Sequence, residues 1–452
     1  MPVANNSHPL HSALFTDLYE LTMAQAYQAE GMDHLAVFEL FFRELPDNRS
    51  FIVAAGLDDV LDSLEQLHVT DEDITYLRGL GQFSDRFLAL LRGFRFMGDV
   101  HAVPEGTIVF PNEPLIQVIA PIFEAQLIET LVLNQIHFQS VVATKSARVV
   151  LAAQGRAVID FGSRRAHGSD AALKVARASY LVGAAGTSNV LAGRLYGIPV
   201  FGTMAHSYIQ AHDSELDSFD QFVREFPETT LLIDTYDTLH GAKNVIELKR
   251  RLGEGFRVKA VRLDSGDLQD LAFRTREMLD AAGLQNVRIF ASSGLDEYKI
   301  AALLEGGSPI DAFGVGTKMA VSKDATDLDM AYKLVEYASV PRTKLSARKV
   351  IYPGRKQAFR EVQSGIMVRD VIGRFDEPLE GESLLQPVMQ RGARLPAGRV
   401  SLENARQHAR RELSRLPPHW RQITPAVVPY PVNISKQLAS DLARLRAQFE
   451  EA

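Results

Sequence analysis

Short apolar runs recur along the middle of the chain, each closing on polar or glycine residues. They read AVIDFG from 157, IPVFGTM from 198, TLLIDTY from 230, VKAVRLDSG from 258, VRIFASSG from 287 and DAFGVGT from 311. Amphipathic stretches lie between them, among them DAALKVARASYLVGAAG, NVIELKRRLGEG and LQDLAFRTREMLDAAG. Apolar runs of strand length alternating with helical periodicity, at a spacing of roughly 30 residues, predict right-handed βαβ units and a parallel sheet. No sequence repeat accompanies this rhythm.

The flanks differ. Residues 13–95 read mainly as helices: TDLYELTMAQAYQAEG with Thr16 as N-cap and Gly31 as stop, then FIVAAGLDDVLDSLEQL over 51–67. Residues 100–120 carry Pro, Gly and short β-branched runs, the pattern of a small antiparallel sheet. Residues 123–153 read as helix again. Beyond Tyr337 the segment VPRTKLSARKVIYPGRKQAFREV suggests short strands and turns, and 402–421 and 434–450 read as charged helices. The expected domains are an N-terminal α+β part over 1–125, a barrel-like α/β part over 126–340, and a C-terminal part over 341–452 that packs on the first.

Composition narrows the chemistry. With 452 residues and 46% hydrophobic content the chain can bury a large core. Its charges are interspersed and sum to −7, which argues against a nucleic-acid-binding stripe or a polybasic membrane surface. It has no cysteine, so disulfides, zinc thiolates and a cysteine nucleophile are excluded. MPVANNSHPLHSALF lacks a basic segment followed by an apolar one, and no run reaches the ~18 apolar residues of a membrane span. A cytoplasmic location is expected.

The ends of the apolar runs carry the candidate site. The first leads into Ser163, Arg164, Arg165 and His167, and the second into His206 and Ser207. The third carries Asp234, Tyr236 and Asp237, and the fourth Arg262, Asp264, Ser265 and Asp267. The fifth ends in Ser292, Ser293 and Gly294, the sixth in Gly314, Gly316 and Thr317. One polar strand end is commonly a helix cap. Six in succession, with Arg, His and Asp among them, point to the catalytic mouth of a β/α barrel. SSGLDE and GVGTKM suit a phosphate, or simply tight turns. RLDSGDL places Arg262, Asp264 and Asp267 beside a turn glycine, a set suited to pyrophosphate, ribose hydroxyls or a shared Mg²⁺, or to an internal salt bridge. His206 has no HExxH context, and no G-x-S-x-G elbow is present, which argues against zinc and a serine triad.

These segments, TDLYELTM at 16, DFGSRRAHG at 160, GTSNVLAGRLYGIPVFGTMAHS at 186, LIDTYD at 232, VRLDSGDL at 261, SSGLDE at 292, GVGTKM at 314 and YPGRKQAFR at 352, resemble the nicotinate phosphoribosyltransferase family, in the family's order. The resemblance implies an irregular (β/α) barrel of the type II phosphoribosyltransferases plus an α+β domain built from the N- and C-terminal parts. It implies that nicotinate and 5-phosphoribosyl-1-pyrophosphate are joined, with ATP hydrolysis, to give nicotinate mononucleotide and pyrophosphate in NAD salvage. His206 resembles the histidine phosphorylated by ATP, and Arg164 the arginine reaching the substrate carboxylate and phosphate. Phe161 resembles one face of an aromatic sandwich; Tyr19, from the partner of a homodimer with shared active sites, resembles the other. Asp234, Arg262 and Asp264 look like ribose, pyrophosphate and Mg²⁺ contacts, with Asp264 the metal candidate. Ser293, Gly294, Gly316 and Thr317 look like the 5′-phosphate cradle. Ser188 stands where the nicotinamide-specific relatives carry an aspartate that would repel nicotinate. Nicotinamide and quinolinate phosphoribosyltransferases and an inactive binding homologue are the alternatives.

Overall fold

The computed structural model describes residues 11–345 and 350–450. Residues 1–10 of the N-terminal stretch and 346–349 of the expected strand-and-turn segment lie outside it. The chain divides into two compact units, one of residues 142–326, the other of 1–141 with 327–452. The long helix Glu129–Ala152 carries the first boundary.

The 142–326 unit holds one sheet of six strands, all parallel. Across the sheet they run Gly186–Thr187, Ala157–Asp160, Ala312–Val315, Arg288–Ala291, Ala260–Leu263 and Thr230–Leu232. The first strand in sequence therefore pairs with the last, as in a barrel, but the two edges do not pair and the sheet is a curled half-barrel. Helices Ser169–Leu181, Thr238–Leu252, Leu268–Ala281 and Glu297–Glu305 follow four of the strands, and each of the last three opens on an aspartate that caps it: Asp237, Asp267 and Asp296. Leu231, Val261, Leu263, Ile289, Phe313 and Val315 are fully buried, the near-continuous apolar pattern that a sheet covered on both faces requires.

One expected strand does not form. IPVFGTM makes only a single bridge, Val200 with Thr187, on the outer side of Gly186–Thr187, which is the edge strand of the sheet. Pro199 has no amide hydrogen to give to a ladder, so the run stays irregular despite its apolar character. His206 accordingly does not end a strand; it opens the five-residue helix His206–Gln210.

In the other unit a seven-stranded sheet joins both ends of the chain. Leu35–Phe42 sits between Ile116–Pro121 and Met330–Tyr337, antiparallel to each. Asp99–Ala102 and Gln386–Gln390 extend it, again antiparallel. A second sheet contains Lys356–Gln363, Ile366–Arg374 and Val432–Ile434. Two local readings are corrected. The expected helix over 51–67 starts only at Leu57, because Ile52–Val53 pair with Ile108–Val109. Helix Leu18–Glu30 has Asp17 at its N-cap position, while the Thr16 hydroxyl turns to Glu20 and to the Leu127 carbonyl at 3.1 Å.

Candidate active site

The first strand of the half-barrel ends on a buried carboxylate. Asp160 accepts from the Gly162 amide at 2.7 Å and the Thr187 hydroxyl at 2.8 Å, and the Ser188 amide donates to its carbonyl at 2.8 Å. It thereby ties two adjacent strand ends together. Burial holds its pKa up, against the lowering effect of those two donors. Phe161 follows, with its amide donating to the Val315 carbonyl at 2.9 Å and its ring tilted against Phe290 at 5.7 Å between centroids. A side chain at Gly314 would lie 2.7 Å from that ring, so glycine is what lets it lie flat on the strand. The turn Ser163–Arg165 then exposes Arg164.

Three further loops converge on a charged cluster. Arg262 is buried; it donates to the Met204 carbonyl at 2.9 Å and the Ser292 hydroxyl at 3.3 Å, and lies 3.6 Å from Asp264. Ser292 donates in turn to Asp264 at 2.5 Å. Asp234 accepts from the Asp264 amide at 3.0 Å and the Ser265 hydroxyl at 2.5 Å, while its Oδ1 is buried with no protein partner. Nε of Arg262 is likewise without a partner. Burial lowers the Arg262 pKa; Asp264 and Asp234 oppose this, and the nearby positive charge of Arg164 adds to it. His206 sits between loops, Nδ1 3.1 Å from the Thr235 hydroxyl and Nε2 3.8 Å from Asp264. The salt-bridge reading of RLDSGDL is thus realised, together with open polar atoms that an ion pair alone does not use.

The last two strand ends lead into glycine-bearing loops. Ser293 and Gly294 both have positive φ, 92° and 57°. Asp296 caps the next helix and holds Lys318 at 2.5 Å, linking this loop to the Gly316–Thr317 turn. Gly316 lies against the Phe161 carbonyl.

His206, Arg262, Asp234 and Asp264 therefore meet, with Arg164 facing Arg262; Phe161 and Ser188 flank Asp160. Tyr19 lies in the other unit, half-exposed in the first turn of helix Leu18–Glu30. Asp160, Thr235 and Lys318 are not among the expected site residues, although each stands in a quoted run, and Ser292 is expected only as a polar strand end without a role. Polar identity at a strand end was the signal; only the pairing shows what each holds. Among the described residues, no three or more His, Asp or Glu side chains gather as a protein-only metal site, and no helix is long and apolar enough to cross a membrane.

Polar loops at the strand ends of a half-barrel, joined to an Arg–Asp–His cluster, have the arrangement of a β/α-barrel enzyme. Models of the nicotinate phosphoribosyltransferase N-terminal domain, the nicotinate phosphoribosyltransferase family and its C-terminal domain match residues 14–137, 157–350 and 374–442. Nicotinate phosphoribosyltransferase pncB2 of Mycobacterium tuberculosis is 60% identical over 434 residues, 96% of this chain and 94% of the relative. The Bacillus subtilis nicotinate phosphoribosyltransferase is 40% identical over 384 residues, covering 83% and 78%. The crystal structure of human nicotinic acid phosphoribosyltransferase superposes with a TM-score of 0.86 at 31% identity, covering 95% of this chain and 99% of that one. The chain belongs to the nicotinate phosphoribosyltransferase family.

Proposed function

We propose that this enzyme joins nicotinate to 5-phosphoribosyl-1-pyrophosphate with ATP hydrolysis coupled through His206. At ribose C1 the bond to the pyrophosphate oxygen breaks as the bond to the pyridine nitrogen forms, and the transition state has oxocarbenium character. The leaving pyrophosphate needs fixed positive charge in a site screened from water. Arg262, buried and with Nε free of protein partners, supports that role. The amides of Ser293 and Gly294, with Gly316 and Thr317, would take the 5′-phosphate. Phe161 would face the pyridine ring and Arg164 its carboxylate. Ser188 puts no charge beside that carboxylate, which favours nicotinate over nicotinamide.

His206 would take the γ-phosphate of ATP on a ring nitrogen, releasing ADP. Water would later cleave the phosphohistidine, returning phosphate and the free ring. Mg²⁺ fits Asp264 and the unpartnered Oδ1 of Asp234, since this ion is usually held by one or two carboxylates completed by substrate phosphates. It would supply charge neutralisation at the pyrophosphate. Tyr19, in a different unit from Phe161, would come from the second subunit of a homodimer. A cysteine-free chain suits the reducing cytoplasm.

The observation that carries this reading is the His206–Asp264–Arg262 cluster beside the open oxygen of Asp234. Turnover of nicotinate with 5-phosphoribosyl-1-pyrophosphate, measured with and without ATP, tests it. His206→Ala should abolish ATP-coupled turnover and leave slow ATP-independent synthesis. ATP hydrolysis by that variant in step with product would overturn the phosphohistidine. Mixing Tyr19→Ala and His206→Ala proteins should restore part of the ATP-coupled turnover at low nicotinate that each variant lacks, and a monomer active at every concentration would exclude the shared site.

A further inference from the structure

Glu20 has no exposed surface, and no Lys, Arg or His pairs with it among the described residues. It stands beside Tyr19 in the first turn of helix Leu18–Glu30 and fastens that turn to the entrance of helix Glu129–Ala152. Its Oε1 accepts from the Thr130 amide at 3.2 Å and lies 2.6 Å from the Thr130 hydroxyl; its Oε2 touches the Thr16 hydroxyl. Thr16 also faces the Leu127 carbonyl at 3.1 Å, and Thr130 also faces Asp17 at 2.8 Å.

Counting protons identifies what is missing. Two threonine hydroxyls bring two hydrogens to four oxygen–oxygen contacts, Thr16 with Glu20 and Leu127, Thr130 with Glu20 and Asp17. A hydroxyl carries one donor hydrogen. A proton on Oε2 of Glu20 supplies a third: Glu20 donates to Thr16, Thr16 is then free to donate to Leu127, and Thr130 shares its one hydrogen between Glu20 and Asp17. We propose that Glu20 is a positioning residue whose carboxyl keeps a proton at neutral pH and, through it, holds the turn that presents Tyr19 to nicotinate. The Tyr19 half of this statement rests on the functional reading above.

The surroundings agree. The groups facing Glu20 are Asp17 and Tyr19 from its own helix and its entry, Glu129 from the long helix, and Tyr332 from strand Met330–Tyr337. The nearby Lys333 is engaged with Glu129 at 3.3 Å. Burial pushes Glu20 up to about 7; hydrogen bonds from Thr130 and Thr16 oppose the rise, and the Glu129 charge adds to it. Ionised Glu20 would leave Thr16 one hydrogen for two acceptors and set a further negative charge beside Glu129. The Tyr19 hydroxyl, raised above the usual phenol range by burial and by the Glu129 carboxylate, stands on the turn that this would loosen.

The test is the KM for nicotinate between pH 6 and 8.5, at saturating 5-phosphoribosyl-1-pyrophosphate, in the full-length enzyme and its Glu20→Gln and Glu20→Ala variants. In the unmodified enzyme KM should rise about five- to tenfold above neutrality, the effect of one lost hydrogen bond. Glu20→Gln, whose amide donates to Thr16 and cannot ionise, should keep a low KM without that rise. Glu20→Ala should show the high KM throughout. A pH profile unchanged in Glu20→Gln overturns the proposal. The carboxyl carbon of Glu20, titrated by nuclear magnetic resonance, reads the proton directly: a midpoint near 7 supports it and one near 4.5 overturns it. Tyr19→Ala separates the two readings. If it leaves the nicotinate KM unchanged, the assignment of Tyr19 falls, and the titration alone then decides the state of Glu20.

Discussion

Replacing Gly314 by alanine adds one methyl group at a point where the strand backbone cannot give way. Strand Ala312–Val315 is paired on both sides, with Ala157–Asp160 and with Arg288–Ala291. The new Cβ would stand 2.7 Å from Cδ2 and Cε2 of Phe161 and 3.0 Å from Cε1 of Phe290. Carbon atoms rest at about 3.5–4.0 Å. The Phe161 ring must therefore retreat by roughly 1 Å, because Phe290 is confined to the interior. Such overpacking costs about 1–3 kcal/mol, which calorimetry should register as a lower Tm. A displacement of ~1 Å at a substrate-positioning group lowers turnover by up to about a hundredfold. The nicotinate KM and kcat/KM should carry that loss, and the KM for 5-phosphoribosyl-1-pyrophosphate should stay within about twofold, since the three atoms nearest the methyl belong to the two aromatic rings. A folded Gly314→Ala enzyme with unchanged nicotinate kinetics would show that Phe161 does not face the base.

Other expected outcomes are as direct. Glu297 opens the helix after the Ser293–Gly294 turn and lies between buried Lys145 at 2.5 Å and Arg148 at 2.9 Å. Glu297→Gln removes the anion between two buried cations and should destabilise the fold by about 3–5 kcal/mol in denaturant titration. Arg360, buried against Asp370 at 2.6 Å and Glu412 at 2.7 Å, belongs to the other unit. Arg360→Met should cost about as much stability while the folded fraction keeps its kcat, so a selective loss of kcat would contradict a purely structural role. Asp234→Asn weakens two charge-assisted bonds, from Ser265 at 2.5 Å and the Asp264 amide at 3.0 Å, each of about 1.5–3 kcal/mol. Its kcat/KM for 5-phosphoribosyl-1-pyrophosphate should fall at least about tenfold, and a smaller change would remove Asp234 from that site.

Much of the fold is written in local periodicity. The runs at 157, 230, 258, 287 and 311 form strands because each is apolar enough to be covered on both faces, and the stretches between them have the amphipathic period of helices. The run at 198 has the same apolar character but stops at one bridge beside Gly186–Thr187, since Pro199 has no amide hydrogen with which to extend the ladder. Thr16 has the identity of a cap, yet a buried acid four residues on claims its hydroxyl.

By itself the sequence determined most of the element types, the polar strand ends from Asp160 to Thr317 and the absence of thiol chemistry. Those properties depend on neighbours a few positions apart. Only the tertiary structure decided that Asp160 grips Thr187, that Arg262 lies between Met204, Ser292 and Asp264, and that Glu20 accepts from Thr130. Sheet order and burial set these meetings. They act between residues up to 110 positions apart, beyond any local period, and they fix which polar atoms are left open for a substrate.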